Sequence, residues 1–237
     1  MSIGLYALGP VSFPHRPYPN STLRVVENAL AEAWRIIRDH PENGFDINSA
    51  TEDRITLELR NCLLNNVLAG GSVPGFTTEL FDVTREGKFE SYDGKHLDKM
   101  PDLHIKIRRE KPVTILSADG LFVECKPIGV EHPAGGAYCD NGIIRFVNGD
   151  YAWAMPQGLM VGYAAAGYKM PEKLESALKT RRKALGVKGR IRALRGCDAH
   201  GYSQKRFSTI HRRTFVYPST GKKATEITLR HAWFDRG

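Results

Sequence analysis

The sequence has few cysteines and no closely spaced pair among them. The four are scattered along the chain and form no Cys-x-x-Cys motif: Cys62, Cys125, Cys139 and Cys197. This spacing excludes an obvious zinc ribbon and argues against a framework of disulfide bonds.

Long hydrophobic runs are also absent. The most apolar stretch, residues 158–167, has ten residues, whereas a membrane-spanning helix needs about 20. The first residues, MSIGLYALGPVSFPHRP, do not combine a basic start with an apolar run, so we expect no signal peptide. We therefore expect a folded cytoplasmic protein that does not associate with a membrane.

Acidic residues are scarce in the last third of the chain. From residue 169 onward, 18 Lys and Arg residues stand against five Asp and Glu residues, and the formal net charge of the whole sequence is +8. Such a basic region favours a polyanion partner, most simply DNA or another nucleic acid. A solvated charged surface is the alternative.

The order of the predicted elements is typical of an α/β (α+β) fold with a mixed central β-sheet flanked by helices. Apolar residues at helical spacing predict a helix over about 22–40, capped by Asn20 or Ser21, and another from Ser49 to the Gly70-Gly71 pair. The segments that follow predict strands at 77–84, 103–108 and 121–126, a helix at 138–148, a strand at 158–166, a helix at 171–185, and strands at 207–217 and 225–234. We divide the chain into an N-terminal arm and helix (1–45), a core (46–168) and a basic C-terminal extension packed on the same domain (169–237).

Two charged residues stand out in the predicted strand at 121–126. Glu124 and Lys126 are two positions apart and therefore project from the same face. Asp102 opens the preceding strand and can approach Glu124 if the two strands pair. Two adjacent carboxylates repel each other, and a hard divalent cation such as Mg²⁺ relieves that repulsion. The backbone carbonyl of Cys125 is a natural further ligand, and Lys126 is suited to orienting an attacking water.

A cross-strand ion pair at a sheet edge is the alternative for these residues. An exposed pair of that kind contributes under about 1 kcal/mol. We therefore favour the functional interpretation.

Pro101-Asp102, followed by Glu124-Cys125-Lys126, resembles the PD-(D/E)xK motif of the restriction-endonuclease-like nuclease superfamily. The core of that superfamily is a helix, a three-stranded meander that carries the motif, another helix and a further strand. The predicted order from about residue 49 to 166 is similar. The resemblance implies a restriction-endonuclease-like fold, with the nuclease core at 46–168.

The first core helix of this superfamily often supplies a glutamate to the metal site, and Glu52 stands where that residue is expected. Ser49-x-x-Glu52 also matches a capping box, in which Glu52 bonds back to the start of the helix. Both roles remain open. Glu58 is the second candidate, but it lies six positions on and points away from Glu52.

Cations provide the candidate nucleic-acid contacts. In the superfamily the helix after the ExK motif often lies near the DNA backbone, which makes Arg145 a candidate. Repeated cations in the basic extension suit phosphate contacts: Arg181, Arg182, Lys183, Lys188, Arg190, Arg192 and Arg195. Three residues of a later strand could approach the scissile phosphate: His211, Arg212 and Arg213. Solvated or packed side chains are the alternative throughout.

The resemblance implies a Mg²⁺-dependent endonuclease that hydrolyses phosphodiester bonds of DNA, with Mn²⁺ as a substitute metal. Restriction, phage defence and DNA repair are the settings it suggests. Two alternatives stay open: a catalytically silent DNA-binding subunit of a larger complex, and a nuclease directed at RNA. Many members of the superfamily act as homodimers or with protein partners, and the sequence does not choose among these assemblies.

Overall fold

The structure is a computed structural model that describes residues 12–42, 44–111, 113, 115–194, 206–217 and 220–237. Arg195 of the predicted basic run lies outside these residues. Within the described ranges, no helix has both the length and the apolar character needed to cross a membrane.

In this part of the chain the strands are β1 (Phe81–Arg85), β2 (Leu103–Ile107), β3 (Leu121–Ile128), β4 (Gln157–Ala164), β5 (Val187–Ala193), β6 (Arg206–His211) and β7 (Ile227–Asp235). They form one sheet in the order β1-β2-β3-β4-β7-β6-β5. The first three strands make an antiparallel meander, β3, β4 and β7 run parallel, and β6 and β5 are antiparallel to their neighbours. The predicted α/β class with a mixed sheet is confirmed.

The helices are α1 (Asn20–Asp39), α2 (Glu52–Cys62), α3 (Ile144–Asn148) and α4 (Glu172–Thr180). A π-helical segment, Leu63–Leu68, extends α2, and another, Gly135–Ile143, leads directly into α3. A short 3-10 turn, Leu116–Ala118, precedes β3. Because helices cover both faces of the sheet, nearly every residue of β3 and β4 is buried.

Helix α1 buries its apolar stripe against the parallel strands. Trp34 stacks on Tyr163 of β4 and on Phe234 of β7, with ring centroids 5.4 and 5.3 Å apart. The predicted caps are wrong, because the helix begins at Asn20 with Pro19 before it and has no side-chain cap. Proline suits this position because its fixed φ angle and missing N–H do not interrupt the first turn.

The π-helical segment Gly135–Ile143 and α3 cover the opposite face of the sheet. Tyr138 of this segment donates a hydrogen bond to the Met160 carbonyl of β4 at 3.2 Å. At Gly142 a β-carbon would lie 2.7 Å from Met160 Cε and 3.5 Å from Lys126 Cγ. Glycine therefore lets the helical segment pack directly over Lys126.

The basic extension supplies β5, β6 and β7 to the same sheet, and β7 lies beside β4 near its centre. The pairing of the two predicted C-terminal strands is seen between β6 and β7. The helix predicted at 171–185 is shorter in the structure, where it is α4 (Glu172–Thr180). The residues after it lead into β5, a strand that was not predicted from the sequence. β5 is an exposed edge strand whose register with β6 shifts between Lys188 and Arg192.

Candidate active site

The pairing of β2 with β3 brings Asp102 towards Glu124. Leu103 lies opposite Val123 in this antiparallel pair, so one further step in register places Asp102 opposite Glu124. Asp102 Oδ2 accepts a hydrogen bond from the backbone N–H of Cys125 at 2.6 Å. Burial and the nearby Glu124 carboxylate raise the pKa of Asp102 to about 7.

The Lys126 ammonium lies among three carboxylates. Its Nζ is 2.5 Å from Glu52 Oε1, 3.1 Å from Glu124 Oε1 and 3.7 Å from Asp102 Oδ2. Burial alone lowers the pKa of Lys126, but the Glu124 and Asp102 carboxylates outweigh it and raise the pKa above its usual value. The lysine is therefore held in its charged form.

Glu52 reaches this cluster from the first turn of α2. The capping-box interpretation is wrong, since Thr51 caps the helix by accepting a bond from the Arg54 N–H at 3.4 Å. Ser49 instead donates to Asp46 at 2.7 Å. Glu58, the second candidate, pairs with Arg54 at 2.6 Å. Helix capping therefore no longer accounts for Glu52, whose carboxylate pairs with Lys126.

Glu124 is the most buried carboxylate of the cluster, with no exposed side-chain surface. Tyr151 donates a short hydrogen bond to Glu124 Oε2, and Arg145 Nη1 lies 3.2 Å from Oε1. Although Oε1 is within ion-pair distance of Arg145 and Lys126, no described donor is aligned on it for a hydrogen bond. Burial raises the pKa of Glu124 above its usual value, against the opposing effect of these two cations.

Tyr151 was missed by the sequence analysis, because an aromatic residue after a predicted helix carries no sign of a partner. Arg145 was expected to contact DNA. Its side chain is 40% exposed, and one of its nitrogens pairs with Glu124. Part of this side chain is therefore accessible to a ligand.

The carboxylates of this cluster are ligands that a hard cation prefers, although only part of their arrangement suits one. Among the described residues, no group of three or more His, Cys, Asp or Glu side chains is arranged to hold a metal ion. Mg²⁺ commonly needs only one or two carboxylates, because waters and substrate phosphates complete its coordination. Asp102 and Glu124 meet that requirement, and the three carboxylates, when all are ionised, outnumber the two cations Lys126 and Arg145.

Most of the predicted phosphate-binding cations lie on the surface formed by the end of α4 and by β5. Arg182, Lys183, Arg190 and Arg192 are exposed. Arg181 pairs with Asp140 at 2.7 Å, and Lys188 pairs with Glu226 at 2.8 Å. Arg212, after β6, is also exposed.

His211 and Arg213 lie in the interior, with exposures of 0% and 6%. His211 bonds to the Leu185 carbonyl and to the Thr209 hydroxyl at 2.8 and 2.7 Å. Burial lowers the pKa of His211 to about 4, so its ring is neutral at physiological pH. Neither side chain offers a surface to a phosphate, and we restrict the expected nucleic-acid contacts to the exposed cations and Arg145.

No family model, curated protein or solved structure matches the chain. Its function is therefore inferred from the geometry and chemistry of the Asp102–Glu124–Lys126 cluster.

Proposed function

We propose that the protein is a Mg²⁺-dependent endonuclease of the PD-(D/E)xK type that hydrolyses phosphodiester bonds of DNA. The observation that carries the proposal is the meeting of Asp102, Glu124 and Lys126 with Glu52 in one partly buried cluster. The order helix, three-stranded meander, helix and parallel strand, from α2 to β4, supports it as well. Restriction, phage defence and DNA repair are settings consistent with such an activity.

Asp102, Glu124 and the Cys125 carbonyl would hold the metal. When bound, Mg²⁺, or Mn²⁺ in its place, would polarise a phosphoryl oxygen and lower the pKa of an attacking water. The carboxylates repel each other in a buried setting, and this repulsion supplies the driving force for taking up a cation.

Lys126 would act on the water and on the developing charge. Because its ammonium is held charged and fixed by Glu52 at 2.5 Å, it can orient a water beside the scissile phosphate. It can also stabilise the negative charge that accumulates on the phosphoryl oxygens in the transition state. Arg145, with its partly exposed side chain, is placed to bind a neighbouring phosphate.

The first test is cleavage of supercoiled plasmid by the purified protein. We expect nicked or linear DNA with millimolar Mg²⁺ and none with EDTA. The Glu124→Gln variant, purified in parallel, should not cut, which excludes a contaminating nuclease. Matched RNA substrates are tested alongside.

Two outcomes would overturn the proposal. DNA binding that is unchanged in EDTA, with no cleavage under any metal, would identify a catalytically silent binding subunit. Cleavage confined to RNA would identify an RNA-directed nuclease.

Glu52 should affect the rate of cleavage without affecting DNA affinity. Replacing Glu52 by Gln removes the closest carboxylate of Lys126 while preserving the shape of the side chain. We expect about a tenfold lower rate at saturating DNA, a size typical of residues that orient a catalytic group. Glu58→Gln on the same helix is the matched control and should cut normally. Equal rates for both variants would remove Glu52 from the site.

A further inference from the structure

The Tyr151 hydroxyl group fixes one oxygen of the Glu124 carboxylate. Tyr151 donates to Oε2, which leaves Oε1 directed at Lys126 and Arg145. The Tyr151 ring is fixed as well, since it stacks parallel to Phe122 and packs edge-on against Phe146. The position of Tyr151 therefore helps to set the orientation of the Glu124 carboxylate.

Tyr151 begins an irregular loop that joins α3 to β4. Gly149 and Ala152 on either side of it have positive φ angles of 76° and 53°. For alanine this left-handed conformation is unfavourable and needs support from its surroundings. Such a loop would not hold Tyr151 in place through local preference alone.

The support comes from the buried guanidinium of Arg213, which follows β6. Its Nη1 donates to the carbonyls of Ala152, Trp153 and Met155 at 3.2, 3.1 and 3.2 Å. Its other nitrogens bond to the Thr225 carbonyl and hydroxyl and to the Tyr217 hydroxyl. Every nitrogen of the guanidinium therefore has a partner.

A buried cation of this kind is costly unless its charge is paired or all of its donors are hydrogen-bonded. In the described part of the chain, no carboxylate forms an ion pair with Arg213, so backbone and hydroxyl dipoles compensate its charge, together with the Phe215 ring, whose centroid lies 5.2 Å from the guanidinium carbon. Half of its six acceptors belong to the loop after Tyr151. The rigid planar fork of arginine can hold several carbonyls at once, which the single ammonium of lysine cannot do with the same geometry.

We propose that Arg213 and Tyr151 form a positioning pair, in which Arg213 fixes the loop and Tyr151 in turn fixes the orientation of the Glu124 carboxylate that would bind the divalent cation. Neither residue touches the substrate. This inference rests on the proposed function for its metal, whereas the link between Arg213 and the loop stands independently of it.

The test uses Tyr151→Phe and Arg213→Lys in the full chain, with two measurements. Calorimetric titration with Mg²⁺ alone, without DNA, should show about tenfold to 100-fold weaker binding for both variants, as expected when a partner of a metal ligand is lost. Hydrogen exchange of the metal-free protein should be at least about tenfold faster across residues 149–157 in Arg213→Lys, because loosening this loop exposes its amides.

Two controls separate positioning from simple destabilisation. Tyr138→Phe removes a buried hydroxyl that contacts Met160 and His231 rather than Glu124. Tyr217→Phe removes an Arg213 partner that lies outside the loop. Both should lower the melting temperature while leaving Mg²⁺ affinity within about twofold of the parent.

The positioning pair would be overturned if Tyr151→Phe bound Mg²⁺ as tightly as the parent protein. It would also be overturned if the amides of the loop exchanged as slowly in Arg213→Lys as in the parent. If the parent protein itself binds no Mg²⁺, the proposed function fails and the metal part of this inference fails with it. The exchange measurement still decides whether Arg213 holds the Tyr151 loop.

Discussion

Replacing Lys126 by Met should reduce DNA cleavage by about 10²–10³-fold, the loss expected when one charged group that stabilises the transition state is removed. Methionine retains much of the aliphatic stem that packs under Gly142, so the change removes mainly the ammonium. DNA affinity should change by less than about fivefold, because one buried cation contributes little to a long phosphate contact. Initial rates and binding curves on one duplex separate the two effects.

The same substitution should also destabilise the metal-free protein. It leaves Glu52, Asp102 and Glu124 without their shared cation, and breaking a buried ion pair from one side costs about 3–5 kcal/mol. Mg²⁺ should restore much of this loss by replacing the missing charge. A Lys126→Met protein that melts normally with Mg²⁺ and yet does not cut would separate the catalytic role from the structural one.

Lys99→Met provides the control. Lys99 pairs with Asp150 at 3.3 Å, near the site but outside the carboxylate cluster. This variant should retain full activity and show the same Mg²⁺ stabilisation as the parent. If Lys126→Met cleaves as fast as Lys99→Met, then Lys126 has no part in the reaction.

Most of the cluster could be predicted from the sequence, because successive side chains of a strand alternate between its two faces. Two residues with one between them share a face, which relates Glu124 to Lys126. The apolar character of residues 121–123 marks a core strand, and the mostly turn-like connection from the preceding strand permits the two strands to pair. That pairing is what places Asp102 opposite Glu124.

The residues that support the cluster, Tyr151 and Arg213, could not be predicted from the sequence, and the physical reason is the same for both. A charged or hydroxyl-bearing side chain gives no sign in the sequence of whether its partner is water or a distant buried group. Arg213 was expected to approach the scissile phosphate, but it bonds to residues about 60 positions earlier in the chain. Burial of such groups depends on tertiary contacts, which local periodicity does not contain.

Strand β5 shows a different limit. Its sequence, VKGRIRA, interrupts alternation with Gly189 at a φ of 75° and carries charges because it lies at the sheet edge. Edge strands are commonly irregular and charged, which protects them from pairing with other chains. Such a segment resembles a basic loop until its partner strand is known.

Asp102→Asn should abolish cleavage and, in the absence of metal, stabilise the protein. Asn retains an oxygen that can accept the Cys125 N–H bond but cannot carry charge. We expect about a 10³-fold loss of cleavage, since the metal contributes several kcal/mol to the transition state. In EDTA at pH 8 the free energy of unfolding should rise by about 2 kcal/mol, which corresponds to a melting temperature about 4–8 °C higher.

The stabilisation should depend on pH in one direction. Folding raises the pKa of Asp102 from 3.8 to about 7, so between these values the native state holds a proton that the unfolded state has released. The stability of the parent therefore falls as pH rises through this window and levels off above it. Asn has no such proton, and the gain from Asp102→Asn should be full above pH 7 and absent near pH 4. Thermal melts in EDTA across this range measure the difference.

Mg²⁺ should reverse the order of stability of the parent protein and Asp102→Asn. At pH 8, Mg²⁺ should raise the melting temperature of the parent, because binding to the native state alone stabilises it by mass action. It should have much less effect on Asp102→Asn, which lacks one of the two proposed carboxylate ligands. Asp93→Asn serves as a control, since Asp93 bonds only to Ser91 and Lys95 on a surface turn. A gain that is equal at pH 4 and pH 8, or an undiminished response to Mg²⁺, would show that the Asp102 carboxylate is neither strained by its neighbours nor a metal ligand.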